Sequence, residues 1–218
     1  MIVSELSVKN WRNFQRLDVK MHERLFIVGP NASGKSNLLD LLRFLRDIAA
    51  AATPEGGGLQ KAVEDRGGVS KLRSLAARRD PSISIHVALA DAADDQPTWR
   101  YDLGIKQEPR GNRRVLVTHE RVWHREQLIL ERPDTDDRAD PERLSQTFLE
   151  QINTNQPFRE VAQFLGGITY LHLVPQLLRY ADVIQGRVLE RDPFGQGFLS
   201  RLARTPEATR RRRLAQIE

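Results

Sequence analysis

The amino-acid sequence predicts an α/β fold: a mixed sheet with an antiparallel flank, followed by a helical C-terminal segment. Apolar and polar residues alternate at 2–8 and again at 17–21, which predicts two strands that each have one wet face. Residues 25–28 form a continuous apolar run, typical of a strand buried on both faces in a parallel sheet. An amphipathic pattern from residue 37 to about residue 52 predicts a helix soon after that strand.

Shorter elements follow this helix. Residues 59–79 predict two short helices on either side of a Gly-Gly turn. Alternating segments within residues 83–130 predict an antiparallel strand region that contains a hairpin. Residues 142–165 predict a helical segment with an internal break, and the apolar run at 168–174 predicts a further buried strand.

Composition excludes several classes of protein. Of the 218 residues, 39% are hydrophobic and 29% are charged, as in a soluble globular protein. No apolar run approaches the roughly 20 residues that a membrane-spanning helix needs, and the first residues lack the pattern of a signal peptide. The absence of Cys excludes disulfides, thiolate catalysis and Cys-based zinc sites. We therefore expect a cytoplasmic protein without membrane association.

Positive charge is concentrated near the C-terminal end of the sequence. From Arg187 to Glu218 there are eight Arg against four acidic residues, which accounts for +4 of the formal net charge of +5. Such a local excess can bind nucleic-acid phosphates, and it can equally be the solvated face of a helix. Both interpretations remain open, so DNA is one candidate partner.

A glycine-rich octapeptide lies between the 25–28 run and the first predicted helix. Its spacing, G-x-x-x-x-G-K-S, lets backbone N–H groups wrap phosphates, while the lysine contacts the β and γ phosphates and the serine hydroxyl ligates Mg²⁺. The helix that follows directs its positive N-terminal end at the same anion. The sequence therefore predicts binding of ATP with Mg²⁺ by this phosphate-binding loop (P-loop), Gly29-Pro30-Asn31-Ala32-Ser33-Gly34-Lys35-Ser36.

The segments Leu6–Phe14 and Gly29–Asp40 together resemble the SMC/RecF-like branch of ABC-type ATPases. In that branch an opening strand leads to an Asn-Phe-Arg turn, and the P-loop reads Gly-x-Asn-x-x-Gly-Lys-Ser-Asn; here Trp11 replaces the usual Phe. Weaker matches to AAA-family ATP-binding proteins lie at 65–68, around Tyr170–Arg179, and from Asp192 to Arg210.

The resemblance implies a P-loop NTPase fold of the ABC/SMC-head type and a set of site residues. Lys35 is the candidate catalytic residue. Arg12 either reaches the nucleotide or caps the strand end, and Gln176 is either a magnesium ligand or an unrelated residue after a strand. Arg66 is either a contact to DNA or nucleotide, or a solvated loop residue. The cofactor-binding candidates are Gly29, Pro30, Asn31, Ala32, Ser33, Gly34, Lys35, Ser36, Asn37 and Arg12, and the metal-binding candidates are Ser36 and Gln176.

Members of this branch dimerise head to head around two ATP molecules, so the resemblance implies such a dimer. Each P-loop there faces a Ser-Gly-Gly signature of the other head, and an apolar run ending in Asp-Glu activates water. Neither motif occurs here: the nearest acidic run, Val115–Glu120, lacks the Asp, and Gly166-Gly167 lacks the Ser. We therefore expect residues 1–218 to be the N-terminal lobe of a larger ATPase, which needs a C-terminal ATPase lobe or partner subunit.

Within this lobe we expect a P-loop core at 1–52, an antiparallel strand region at 83–130, and a helical and basic segment at 142–218. Two functional hypotheses compete. The first is an ATP-binding lobe that couples ATP binding and hydrolysis to DNA repair, chromosome maintenance or anti-phage defence. The second is a non-hydrolysing ATP-binding switch that regulates a partner protein. A small-molecule kinase of the P-loop class is disfavoured, because no lid arginines or acceptor site are recognisable.

Overall fold

The computed structural model describes residues 1–50, 57–77, 80–93, 95–109, 113–172, 174 and 203–215. The chain divides into two compact units, Met1–Ile168 and Thr169–Glu218. The first unit contains the P-loop and a six-stranded sheet. In the second unit the helix α6 spans Glu207–Leu214, and the exposed Arg211 pairs with Glu207 one turn earlier.

The sheet has the strand order β2-β1-β3-β4-β5-β6, and every pair of neighbouring strands is antiparallel. Four of the five pairs join strands that are consecutive in the sequence, and the fifth joins β1 to β3. The strands are β1 Ile2–Trp11, β2 Phe14–Lys20, β3 Ile83–Ala90, β4 Trp99–Gln107, β5 Val115–His124 and β6 Gln127–Arg132.

One face of the sheet forms the core with the first helix. Alternate residues of β3 and β4, such as Val87 and Leu103, are buried on this face, as the period-two pattern predicts. Helix α1, Lys35–Ala49, contributes Leu41 and Phe44 to the same hydrophobic cluster. The core therefore fixes the start of α1, which carries the P-loop lysine, relative to the sheet.

Short helices complete the first unit. The two helices predicted within 59–79 are confirmed, with the Gly67-Gly68 turn between them at positive φ. The segment predicted to be helical at 142–165 contains two 3-10 turns and one α-helix, and residues 146–155 are not helical. The helices are α2 Leu59–Glu64, α3 Val69–Leu72, α4 Thr135–Ala139 and α5 Arg159–Gly166, and the 3-10 turns are Pro141–Ser145 and Gln156–Phe158.

The structure corrects the parallel part of the predicted sheet. Residues 25–28 are not a strand, and Phe26 and Val28 are 86% and 93% exposed. Residues 168–172 and 174, predicted as a second buried strand, are also outside any strand. A parallel strand buried on both faces requires strands from distant parts of the chain beside it. Within the described ranges no such strand is present, so the sheet found there is antiparallel rather than mixed.

Among the described residues no helix is both long and apolar enough to cross a membrane.

Candidate nucleotide-binding site

The P-loop has a backbone conformation that its sequence requires. Gly34, the residue before α1, has φ 103°, in the left-handed region that favours glycine, and Ala32 has φ 63°. A Cβ atom on Gly34 would lie 2.5 Å from Asn13 Nδ2 and 2.7 Å from Phe14 Cζ. The second glycine of the motif is therefore required for two reasons: its dihedral angle, and the close approach of the β1–β2 turn.

The start of α1 offers unpaired backbone donors to an anion. The N–H groups of Lys35, Ser36 and Asn37 belong to the first helical turn and have no acceptor within the helix, and no side chain caps them. The helix dipole adds a partial positive charge at the same point. Together these groups form a cradle that suits the phosphates of a nucleotide.

Lys35 lies folded over its own loop. Its Nζ donates to the carbonyl oxygens of Gly29, at 2.8 Å, and of Pro30, at 2.6 Å. Both acceptors are neutral, and hydrogen bonds from an ammonium group to an anionic phosphate are stronger than those to a carbonyl. A phosphate oxygen can therefore displace these two contacts.

An open cleft of about 330 Å³ lies beside the loop. Its apolar walls come from β2 and from the exposed run before the loop, so it presents both hydrophobic surface and the polar N-terminal end of α1. This combination is typical of small-molecule sites. The lining residues are Phe14, Leu17, Ile27, Val28, Gly29, Pro30, Ser33, Gly34, Lys35 and Leu38.

The end of β1 and the β1–β2 turn contact the first three turns of α1. The buried indole of Trp11 donates from Nε1 to the Asn37 carbonyl at 2.9 Å and packs against Phe44, with ring centroids 5.2 Å apart. Asn13 accepts a hydrogen bond from the Asn37 amide at 2.8 Å and donates to the Ser33 carbonyl at 3.4 Å. The loop and its helix are thus bonded to the edge of the sheet.

Arg12 pairs with a carboxylate on α1. Its Nη2 lies 2.7 Å from Asp40 Oδ2, and its side chain keeps 27% of its surface exposed. In this arrangement Arg12 connects the turn to the helix, and a role at the nucleotide stays a prediction. Gln176 lies outside the described residues.

Arg66 is buried, which corrects the expectation of a solvated loop residue or a contact to DNA. Only 5% of its side chain is exposed, and its guanidinium lies 3.1 Å from Asp40 and 2.9 Å from Asp47. It therefore joins the turn after α2 to the outer side of α1. The sequence signal was present in Asp40 and Asp47, which lie two helical turns apart on one face of α1.

ATP and Mg²⁺ fit the site to different extents. The glycine-rich cradle and Lys35 suit a triphosphate, since the N–H groups at the start of α1 are unpaired and Lys35 bonds only to neutral carbonyl oxygens. Ser36, which is exposed at the first turn of α1, offers one hydroxyl ligand to Mg²⁺. No group of three or more His, Asp or Glu side chains that could hold a metal occurs among the described residues. Mg²⁺ would therefore be held mainly by Ser36 and the nucleotide itself.

The acidic end of the Val115–Glu120 run has a structural role. Glu120 is fully buried in β5, and it accepts hydrogen bonds from Tyr101 Oη at 3.0 Å and Arg132 Nη1 at 2.9 Å. Burial raises the pKa of Glu120, which two backbone N–H groups and Arg132 partly oppose. With Asp137 on its other side, Arg132 forms a buried ion network. Sequence reasoning missed this network, because its members are separated in the chain.

Comparison with known proteins identifies the family. The family model described as "AAA domain, putative AbiEii toxin, Type IV TA system" matches residues 25–215. The chain belongs to this AAA-domain family. A second family model, the P-loop containing region of AAA domain, matches residues 3–45. The predicted P-loop fold class and the resemblance to SMC/RecF-like ATPases are confirmed.

Relatives of this AAA-domain chain include DNA replication and repair proteins RecF. That of Bacillus cytotoxicus is 29% identical over 91 residues, or 41% of this chain and 24% of the relative, and that of Bacillus thuringiensis is 28% identical over the same length. The match thus spans about a quarter of these relatives. Two solved structures are also similar. The first is a recombination mediator protein RecF with ATP, with a TM-score of 0.37 and 16% identity over 83% of this chain and 34% of that chain. The second comes from a study of ATP-driven dimerization and DNA-stimulated activation of SMC ATPases, with a TM-score of 0.38 and 15% identity over 99% of each chain.

Proposed function

We propose that this chain is the ATP-binding lobe of an SMC/RecF-like ATPase that couples ATP binding and hydrolysis to work on DNA, in repair, chromosome maintenance or anti-phage defence. The observation that carries the proposal is the loop around Gly34, which has positive φ, no room for a side chain and unpaired N–H groups after it. Membership of the AAA-domain family supports the same ligand.

The proposed roles follow from the positions of the side chains. The N–H groups at the start of α1 bind the phosphates, and Lys35 moves from the carbonyl oxygens of Gly29 and Pro30 to the β and γ phosphates. Ser36 holds Mg²⁺, which would neutralise charge on the phosphates when bound. The apolar cleft walls from β2 exclude water on one side of the ligand.

A partner lobe is part of the proposal, and the exposed run at 25–28 supports it. Phe26 and Val28 are strongly apolar yet lie in solvent, and no backbone hydrogen bond joins residues 22–28 to other described segments. Leu39, on the solvent side of α1, is 42% exposed. Burying this surface under strands of a second lobe would remove apolar area from water and pair the free backbone groups.

DNA is the proposed macromolecular partner of the assembled ATPase. The RecF relatives are named for DNA replication and repair. The basic helix α6, with four consecutive Arg residues at 210–213, offers charges for phosphate contacts.

Nucleotide binding by the full chain tests the proposed site. Replacing Lys35→Ala should weaken binding of a fluorescent ATP analogue roughly 10- to 100-fold, because a charge-assisted bond to phosphate is lost. Lys106→Ala is the matched control, since Lys106 is exposed on β4, away from the loop. If Lys35→Ala binds ATP as well as the parent, the proposed site is wrong.

A non-hydrolysing ATP-binding switch is the second candidate function. It is favoured by the engagement of Glu120, the acid that ends the apolar run of β5, with Arg132 and two backbone N–H groups. Turnover separates the two functions. The isolated chain should hydrolyse far less than about 1 ATP per second, and a supplied C-terminal lobe should raise the rate only if the ATPase proposal is right.

A further inference from the structure

We propose that Asn13 is a positioning residue for the P-loop, one that orients the N–H group of Gly34 toward the bound phosphates. The proposal rests on the proposed nucleotide binding. It concerns a residue of the β1–β2 turn that contacts the loop from outside.

The hydrogen bonds of the Asn13 amide fix its orientation. The Asn37 side-chain N–H donates to Asn13 Oδ1 at 2.8 Å, so that oxygen is occupied as an acceptor. The opposite end of the same amide, Nδ2, then faces the loop and donates to the Ser33 carbonyl at 3.4 Å. Asn37 is itself held through its backbone carbonyl by the Trp11 indole. The side-chain amide of Asn13 therefore has a single orientation, with Nδ2 toward the loop.

The Asn13 amide bonds to the peptide group between Ser33 and Gly34. In a trans peptide the C=O and the following N–H point in opposite directions. A hydrogen bond that holds the Ser33 carbonyl toward Asn13 consequently turns the Gly34 N–H away from Asn13. Phosphate binding by such a loop depends on successive N–H groups turned to one side.

Gly34 is buried, and its N–H has no acceptor among the described residues. Since Gly34 also lines the cleft beside the loop, this N–H group is available to a ligand bound there. Asn13 also packs closely against this residue, because its Nδ2 lies 2.5 Å from where a Gly34 Cβ would be.

Two substitutions at Asn13 test the role. Asn13→Ala removes the donor to Ser33 and should weaken binding of both ATP and ADP about 3- to 10-fold. Asn13→Asp keeps the shape and the acceptor for Asn37 but cannot donate to Ser33, and it brings a negative charge near the phosphates. Its loss should be larger than that of Asn13→Ala, and the difference should shrink at high salt.

Asn10→Ala, near the end of β1, is the matched control. The Asn10 amide donates to the carbonyls of Asp80 and Ser82, away from the P-loop, and its φ of 61° makes Ala strained there. Asn10→Ala should lower the Tm at least as much as Asn13→Ala and leave nucleotide affinity unchanged. An equal loss of affinity in Asn10→Ala would show that general destabilisation, and not positioning, weakens binding.

The amide signal of Gly34 gives a readout that a purely structural role would not move. With selective ¹⁵N-glycine labelling, ADP should shift the Gly34 amide resonance in the parent and shift it much less in saturated Asn13→Ala. An unchanged Gly34 response, or affinity within twofold of the parent, overturns the proposal. Lys35→Ala distinguishes the proposed nucleotide binding from the proposed role of Asn13. If Lys35→Ala loses binding while Asn13→Ala does not, only the positioning role of Asn13 is wrong.

Discussion

Two apolar regions of this molecule differ in burial: one lies in the core and the other is exposed to solvent. Residues of β3 such as Ile85 and Val87 are buried, and they pair with residues of β1 and β4. The run at 25–28 is as apolar as these strands, yet Phe26 and Val28 lie in solvent without strand partners. Hydrophobic sequence alone therefore does not bury a segment; a neighbouring strand must be available as well.

The difference lies in where the partners come from. The sheet between β1 and β6 is completed within residues 2–132, largely by hairpins that require only short loops. A parallel strand needs a neighbour brought from a distant part of the chain or from another chain. The P-loop joins these two regions, because its helix packs into the sheet core while the run before it is exposed.

Substituting one phenylalanine from each region should give the largest difference in the free energy of unfolding. Phe44→Ala, in the core beside Trp11, should lower the free energy of unfolding by about 3–5 kcal/mol because it opens a cavity. Phe26→Ala should change it by less than about 0.5 kcal/mol, since the ring already lies in water. Urea denaturation of both variants measures the difference. An equal loss in the two variants would mean that Phe26 is buried in solution.

Charge pairs allow the same comparison between a buried and an exposed site of the sheet. Arg132→Met leaves Glu120 without its buried cation and should cost about 3–5 kcal/mol. Arg121→Met removes an exposed pair with Glu131 on the neighbouring strand and should cost less than about 1 kcal/mol. Denaturant midpoints of the two variants should therefore separate clearly. Similar midpoints would contradict a buried network.

The smallest expected effect concerns pH. Burial, with the Glu120 charge nearby, raises the pKa of Glu150 to about 7, although its carboxyl accepts hydrogen bonds from the N–H groups of Leu59 and Thr147. Between pH 4.5 and 7 the folded chain then holds more protons than the unfolded chain. The stabilisation is complete below pH 4.5 and is lost as the pH rises through about 7.

Unfolding measured from pH 5 to pH 8 tests this sign. The free energy of unfolding of the parent should fall across this range, and Glu150→Gln should flatten the slope. Glu131→Gln, an exposed carboxyl on β6, should leave the slope as in the parent. A parent whose stability rises with pH in this window would show that Glu150 remains charged.

Local patterns predicted much of the first unit. The alternation in β1 through β5 and the Gly-Gly turn between α2 and α3 are read over a few residues, and the structure has these elements close to the predicted positions. The helical segment at 142–165 was less well predicted. There, Glu120 accepts hydrogen bonds from the backbone N–H groups of Phe148 and Leu149. These contacts join residues far apart in the sequence, so periodicity does not detect them.

The sequence by itself determined the P-loop and its family, because the spacing of Gly29, Gly34, Lys35 and Ser36 is a local property that needs no tertiary information. Only the tertiary structure decided what surrounds that loop. It placed Asn13 and Phe14 against Gly34, buried Arg66 between Asp40 and Asp47, and left Phe26 exposed. The physical reason is that these features depend on which distant groups supply hydrogen bonds and apolar cover, and residue spacing carries no such information.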